Sequence, residues 1–147
     1  MIKTFRGILE DGGQVKVRLS TKKGKIGYKI KKFLLMPEQP GNTAQESVVK
    51  IFKIKQTTIP TSGATVDLSD GNLLAVGYQD LNTQSMTVII FEQEIFNQDI
   101  FITYTDNGGG ANEDCNYYLE LETINMTDIA TAVSTLRDIR LNPQVGA

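Results

Sequence analysis

The fold is decided by a stretch of strict alternation, CNYYLELETI at residues 115–124. Tyr117, Leu119 and Leu121 alternate in this stretch with Glu120 and Glu122. Because successive side chains of a strand point to opposite faces of a sheet, the pattern predicts a β-strand that buries the first set and exposes the second. It is the clearest strand in the sequence, and the rest of the chain repeats its pattern in shorter form.

Short segments with many apolar residues, separated by turn residues, precede this strand. They predict strands at residues 5–9, 14–19, 28–36, 47–55, 73–78, 86–91 and 99–105. Glycines in Asp11-Gly12-Gly13 favour a turn, so the first two strands are expected to form a β-hairpin. Residues 47–55 are apolar on both faces, which indicates a central strand. The sequence therefore predicts one mainly β domain over residues 1–147, an antiparallel β-sandwich or a jelly-roll-like barrel.

Two long connections and one helix complete this prediction. Residues 56–72 contain Pro60, Gly63 and Gly71 and are expected to form an exposed loop, and residues 107–114 contain three consecutive glycines that favour a flexible loop. A short amphipathic helix is predicted at about 128–140, with Thr127 as N-cap and Pro143 beyond its end. Its apolar stripe and its basic last turn are formed by Ile129, Val133, Leu136, Arg137 and Arg140.

Charge is divided unevenly along the chain, although the net charge is only −2. Residues 1–55 hold 13 of the 15 Lys and Arg residues, and residues 56–147 hold 13 of the 17 Asp and Glu residues. Such a division can steer association with a partner of opposite charge, and it also fits basic strand faces in solvent. The residues predicted to bind a partner are Lys16, Arg18, Lys22, Lys23, Lys25, Lys29 and Lys31.

The composition argues against catalysis and against most metal sites. The chain has no histidine and one cysteine, so it lacks a Ser-His or Cys-His mechanism, an internal disulfide and a Cys/His zinc site. Glu113 and Asp114 next to Cys115 should raise the thiol pKa, which predicts an unreactive cysteine. The first residues lack the apolar core of a signal peptide, and the longest apolar runs are too short to span a bilayer. We therefore expect a protein without cofactors, made in a cytosol.

Carboxylates remain as the other candidates for chemistry. Glu92 with Glu94, and Glu120 with Glu122, are spaced two apart and would share a strand face, as paired acid and base groups do, but exposed strands have the same pattern. Oxygen-rich loops at residues 67–72 and 106–114 lack the EF-hand spacing and are typical of Asx turns. Gly108-Gly109-Gly110 lacks the Gly-Lys-Ser/Thr ending of a phosphate loop. We expect neither an enzyme nor a metal protein.

Several segments resemble small proteins of tailed phages of marine bacteria, most of which have no assigned role or are virion structural proteins. The most specific are NQDI at residues 97–100 and NYYLELE at residues 116–122, and the likeness extends to TLRDIR at residues 135–140. The resemblance covers most of the chain. It implies a β-rich component of a virus particle and no catalytic residues.

The first hypothesis is therefore a capsid decoration or cement protein that binds the major capsid protein in many copies. One domain without coiled-coil or repeat sequence suits a unit that is placed repeatedly on a shell. A neck or tail component, such as an adaptor, nozzle or fibre-attachment protein, is the runner-up. A host-surface-binding module would use the loops at 56–72 and 107–114. A nucleic-acid-binding protein would use residues 16–32, but the acidic majority of the chain argues against it.

Overall fold

The computed structural model describes residues 1–19, 25–108 and 113–125, and these form eight β-strands. The strands are β1 (Ile2–Leu9), β2 (Gln14–Val17), β3 (Ile26–Pro37), β4 (Glu46–Phe52), β5 (Leu73–Asp80), β6 (Ser85–Ile90), β7 (Ile100–Asp106) and β8 (Cys115–Asn125). No helix occurs in these ranges, and so none that could cross a membrane. The helix predicted at 128–140 lies outside the described residues.

The strands form two antiparallel sheets with the orders β1-β8-β3 and β2-β7-β4-β5-β6. The alternation at residues 115–124 forms β8, the middle strand of the smaller sheet, which buries Tyr117, Leu119 and Leu121 as predicted. β4 is the middle strand of the larger sheet, as its apolar residues on both faces indicated. The two sheets pack face to face in a β-sandwich-like arrangement, and their facing side chains form one core.

The predicted opening hairpin is wrong. β1 pairs with β8 and β2 pairs with β7, so the turn between β1 and β2 crosses from one sheet to the other. The turn is fixed to β7, because the Gly12 N–H donates to the Tyr104 carbonyl at 2.9 Å and the Tyr104 N–H donates to the Gly13 carbonyl at 3.3 Å. Gly12 has φ +75°, so the glycine signal for a turn is confirmed while the pairing it suggested is not.

Glycine also sets the approach of the two sheets. Gly77 on β5 faces β3, and a Cβ there would lie 2.9 Å from Leu35 Cδ1 and 3.1 Å from a ring carbon of Phe33. Its missing side chain therefore leaves room for two large core residues of the smaller sheet. This packing places β3 over β5 and β6 and leaves the outward face of β3 available for contacts of its own.

The outer face of the larger sheet is covered by residues 56–72, which we call the covering loop. Ile59 and Pro60 of this loop line a small cleft together with Lys50 and Phe52 of β4. Hydrogen bonds attach the loop at several points: the Lys50 ammonium donates to the Thr65 carbonyl at 2.7 Å, and the Thr105 hydroxyl donates to the Pro60 carbonyl at 2.7 Å. Residues 56–72 thus form a loop, as predicted, and most of their side chains are exposed on its far side.

Candidate interaction surfaces

The described residues of the predicted basic set are divided between the two sheets. Lys16 lies on β2 of the larger sheet and Arg18 follows that strand, whereas Lys29 and Lys31 lie on β3 of the smaller sheet. Lys25 is exposed just before β3, and Lys22 and Lys23 lie outside the described residues. The connection at residues 18–25 therefore joins two basic groups that belong to different sheets at the same end of the sandwich.

Carboxylates partly neutralise these groups. Lys16 Nζ lies 3.4 Å from Asp99 Oδ2, and Lys29 Nζ and Lys31 Nζ each lie 3.7 Å from Glu122 Oε2. A β-bulge in the pairing of β3 with β8 falls at Lys31, which places Lys31 and Lys32 side by side in solvent. The side chains of Lys16 and Lys31 are half exposed, so both can still reach a partner. Half-exposed ion pairs of this kind are weak and exchange readily.

The opposite end of the sandwich is acidic throughout its described residues. It consists of the turns and connections at residues 10–13, 38–46, 80–84, 106–108 and 113–114, none of which contains Lys or Arg. Its carboxylates are those of Glu10, Asp11, Glu38, Glu46, Asp80, Asp106, Glu113 and Asp114. The uneven charge of the sequence therefore becomes a difference between the two ends of the strands, and this end attracts cations.

Asp106 shows why these carboxylates are structural in part. Its side chain is buried, and Oδ1 accepts the N–H groups of Glu46 at 3.0 Å and Gly108 at 2.9 Å. Its own N–H donates to Asp11 Oδ1 at 2.8 Å. Burial raises the pKa of Asp11, and the nearby charge of Asp106 raises it further. Asp106 is thus a backbone-binding residue, and both of its carboxylate oxygens accept hydrogen bonds.

Within the described ranges, no three Asp, Glu or Cys residues are grouped as metal ligands. In the other oxygen-rich loop, Asp67 Oδ1 accepts the N–H and the hydroxyl of Ser69, and Asp70 Oδ1 accepts the Asn72 N–H. These are Asx turns of the kind that the sequence favoured over calcium loops.

The remaining candidates for chemistry are the cysteine and the two pairs of glutamates. Cys115 is fully buried, and burial, not the predicted charges of Glu113 and Asp114, raises the pKa of its thiol to about 11, which disfavours a reactive thiolate. Glu92 and Glu94 do not share a strand, because they lie in a turn, where Glu94 Oε2 accepts from the buried Lys53 ammonium at 3.1 Å. Glu120 and Glu122 lie on β8 as predicted, and Glu120 accepts the Tyr118 hydroxyl at 2.7 Å.

A buried polar cluster near β7 is also structural. Gln45 Nε2 donates to the Tyr104 hydroxyl oxygen at 3.0 Å and to the Asp114 carbonyl at 3.0 Å, and the Tyr104 hydroxyl donates to the Glu113 carbonyl at 2.7 Å. Burial raises the pKa of Tyr104 well above its ordinary value. The cluster fastens the segment before β8 to β4 and β7, and a phenol held neutral in this way suits a structural hydrogen bond.

An apolar groove on the outer face of the smaller sheet was missed by the sequence analysis. It encloses about 650 Å³, and its outward-pointing lining comes from all three strands of the sheet, with Met86 of β6 at one side. Ile8, Leu34 and Met36 in it are 46%, 42% and 60% exposed. The signal was the run Phe33-Leu34-Leu35-Met36, which on a strand places two large apolar residues on each face. Contiguous exposed apolar surface of this kind makes the groove a candidate contact site.

No protein-family model matches this chain, and no curated protein is significantly similar to it.

Proposed function

We propose that this chain is a structural protein of a tailed-phage particle, most simply a capsid decoration protein whose partner is the major capsid protein. In this proposal it acts by binding, without catalysis or cofactor, in many copies on a virion assembled in the host cytoplasm. The resemblance at residues 97–100 and 116–122 supports the origin. A rigid β-sandwich-like scaffold that presents differently charged ends supports the role.

The observation that carries the proposal is the difference between those ends. One end contains only carboxylates among its described charged residues, whereas Lys16, Arg18 and Lys25 lie at the other end, and Lys29 and Lys31 lie on β3, which starts there. Complementary charge orients a protein on its partner and accelerates association. A unit repeated on a shell needs one fixed orientation, and a domain with unlike ends supplies it. We propose that the basic end faces the shell.

The first test is cryo-electron microscopy of the source particle, with density for this fold located and its copies counted. Copies distributed over the capsid lattice are the expected result. A small ring of copies related by rotational symmetry at the portal axis would contradict capsid decoration and support the neck or tail role. Absence from the particle would overturn the virion proposal and leave host-surface binding and nucleic-acid binding.

The orientation is tested by reversing charge at Lys16, Arg18, Lys29 and Lys31 to Glu in one variant. Loss of attachment to purified shells is expected, with the fold retained but the unfolding midpoint lowered, because the new carboxylates would lie beside Asp99 and Glu122. The control reverses Glu10, Glu38 and Asp80 to Lys at the acidic end. Attachment that survives the first variant and is lost in the control would contradict the proposed orientation.

A host-surface-binding module is the second candidate. The observation in its favour is the covering loop, on which Val66 and Leu68 are 45% and 48% exposed. It predicts that the isolated protein binds host cells and that Leu68→Ser reduces this binding. A nucleic-acid-binding role is less well supported, because Asp99 and Glu122 compete with phosphate for Lys16, Lys29 and Lys31. Salt-sensitive retention of the protein on DNA would support the nucleic-acid-binding role.

A further inference from the structure

Among the described strands, four form the edges of the two sheets, and three of these carry cationic side chains. β1 contains Lys3 and Arg6, β2 contains Lys16, and β3 contains three lysines and a β-bulge. Lysines and bulges on an edge strand hinder its pairing with another chain. β6, an edge of the larger sheet, has neither: residues 81–91 include no charged residue, proline or glycine, and the pairing with β5 is regular. β6 is therefore the edge best suited to pair with a further strand.

The backbone of β6 alternates between β5 and the free edge of the sheet. The Phe91 N–H donates to the Leu74 carbonyl at 3.0 Å, so the odd-numbered residues of β6 direct their N–H and C=O groups to β5. The even-numbered residues Met86, Val88 and Ile90 direct theirs to the free edge, where no described residue hydrogen-bonds to them. Their unpaired donors and acceptors can bind one more strand.

The side chains of the same three residues share the face of β6 that points into the sandwich. Val88 pairs with Gly77, whose missing Cβ faces Leu35 of the other sheet. Val88 and Ile90 pack partly buried against the core, whereas Met86 is 42% exposed. A strand added at this edge would therefore meet a continuous apolar row and cover more of Met86.

A second copy of β6 matches this edge. An antiparallel pair with Val88 on a twofold axis places Met86 opposite Ile90 of the second copy, and Val88 opposite its own counterpart. All three pairs in this register have their N–H and C=O groups directed at each other, so each exchanges two hydrogen bonds. A shift of two residues would lose one of these pairs. The apolar rows also meet without like charges opposed, so the edge is complementary to itself.

We propose that two copies of the protein associate through β6 in this register and join their larger sheets into one continuous sheet. The outer face of β3, with Lys29, Lys31 and Leu34, belongs to the other sheet and stays uncovered. The contact is small, of the class below about 1,200 Å² that gives transient complexes, so the dimer forms at high protein concentration or when copies are held side by side. The inference does not depend on the virion proposal.

The test is disulfide trapping with two variants that each add one cysteine, Thr87→Cys and Ile89→Cys, mixed in equal amounts in a glutathione redox buffer. Cys115 is fully buried and does not compete. In the proposed register Thr87 lies opposite Ile89 of the second copy, with Cα atoms about 4.5 Å apart, within the range of a disulfide. Like-numbered residues lie diagonally, about 7–8 Å apart, beyond that range. Heterodimers should therefore outnumber homodimers at least about tenfold by mass spectrometry.

Met86→Lys, introduced into both cysteine variants, places a charge at each end of the paired strands. It should lower the yield of heterodimer at least about tenfold, because a lysine on an edge strand opposes pairing. Met36→Lys is the matched control, since Met36 is 60% exposed on β3 and its change in charge is the same. It should leave the yield unchanged. Both methionines line the apolar groove, so the two variants distinguish pairing of the edges from association through the groove.

Sedimentation of the unaltered protein over a range of concentrations keeps the test valid if a cysteine variant fails to fold. A dimer that increases with concentration and is lost in Met86→Lys alone supports the proposal, as does a clear excess of heterodimer. Monomers at every soluble concentration would overturn it. So would heterodimers and homodimers in equal numbers, as random collisions give. A dimer lost in Met36→Lys and kept in Met86→Lys would place the contact in the groove and contradict pairing through β6.

Discussion

The outer faces of the two sheets differ in how far their apolar side chains are exposed, although both faces carry large apolar residues. On the larger sheet Phe52 and Val76 are 6% and 4% exposed, whereas on the smaller sheet Leu34 and Met36 are 42% and 60% exposed. All four side chains point away from the core between the sheets, so alternation alone would expose each of them. The comparison teaches that connections between strands can bury an outward residue, as residues 56–72 do for Phe52.

The largest expected effect is a difference in the free energy of unfolding between two variants, each with one apolar residue truncated on one of the two faces. Phe52→Ala removes a ring held between β4 and the covering loop and should lower the free energy of unfolding by about 3 kcal/mol, because it leaves a cavity. Leu34→Ala on the exposed face should cost less than about 1 kcal/mol. Urea unfolding of both variants measures the difference. Equal losses would mean that Leu34 is as well covered as Phe52.

A smaller effect comes from detaching the covering loop at one point. Asn107 binds the backbone of Ala64 twice, through Oδ1 at 2.8 Å and Nδ2 at 3.2 Å. Asn107→Ala should lower the free energy of unfolding by about 1–2 kcal/mol, since two hydrogen bonds are lost. It should also speed thermolysin cleavage within residues 59–68. Asn82→Ala, in the exposed β5–β6 turn, is the control and should change neither quantity.

The smallest effect concerns a charge beneath the covering loop. Burial lowers the pKa of Lys50, whose ammonium donates to the Thr65 carbonyl. The folded state therefore binds a proton less tightly than the unfolded state, so stability due to this residue rises as pH increases towards the ordinary value of 10.5. At pH 7 the variant Lys50→Met should change the free energy of unfolding by less than about 1 kcal/mol, because a lost hydrogen bond offsets a relieved half-buried charge.

Unfolding midpoints of the protein and of Lys50→Met, measured from pH 7 to pH 10, check this expectation. Their difference should shift in favour of lysine as pH rises. Lys32→Met is the control, since Lys32 is exposed on β3 of the smaller sheet. A shift of the same size in the control would show that the pH effect does not depend on coverage.

Local pattern predicted the strands well, because alternation depends only on neighbouring residues. β8, β7 and β5 lie within a few residues of their predicted positions, and the loop at residues 56–72 was recognised from its prolines and glycines. Pairing was not predictable in the same way. Asp11-Gly12-Gly13 favours a turn in either sheet, and only the hydrogen bonds of Gly12 and Gly13 to Tyr104 on β7 decide against the hairpin.

The candidate surfaces were predicted less completely, since a surface depends on which strands become neighbours. The basic residues were identified, but their division between two sheets and their pairing with Asp99 and Glu122 could not be read from sequence order. The groove needs β1, β8 and β3 side by side, and β1 and β8 are more than 100 residues apart along the chain. The helix predicted at 128–140 stays a prediction.

The pairing of the first strand with the last has a consequence for synthesis of the protein. Ile2 pairs with Glu122, and the Met1 carbonyl accepts the Thr123 N–H at 2.9 Å. β1 and β3 flank β8 and do not pair with each other. Neither strand can therefore pair within this sheet until β8 has left the ribosome. Contacts this distant in sequence slow folding and leave strand edges open meanwhile. We therefore expect nascent chains stalled before residue 115 to have no smaller sheet and to depend on chaperones.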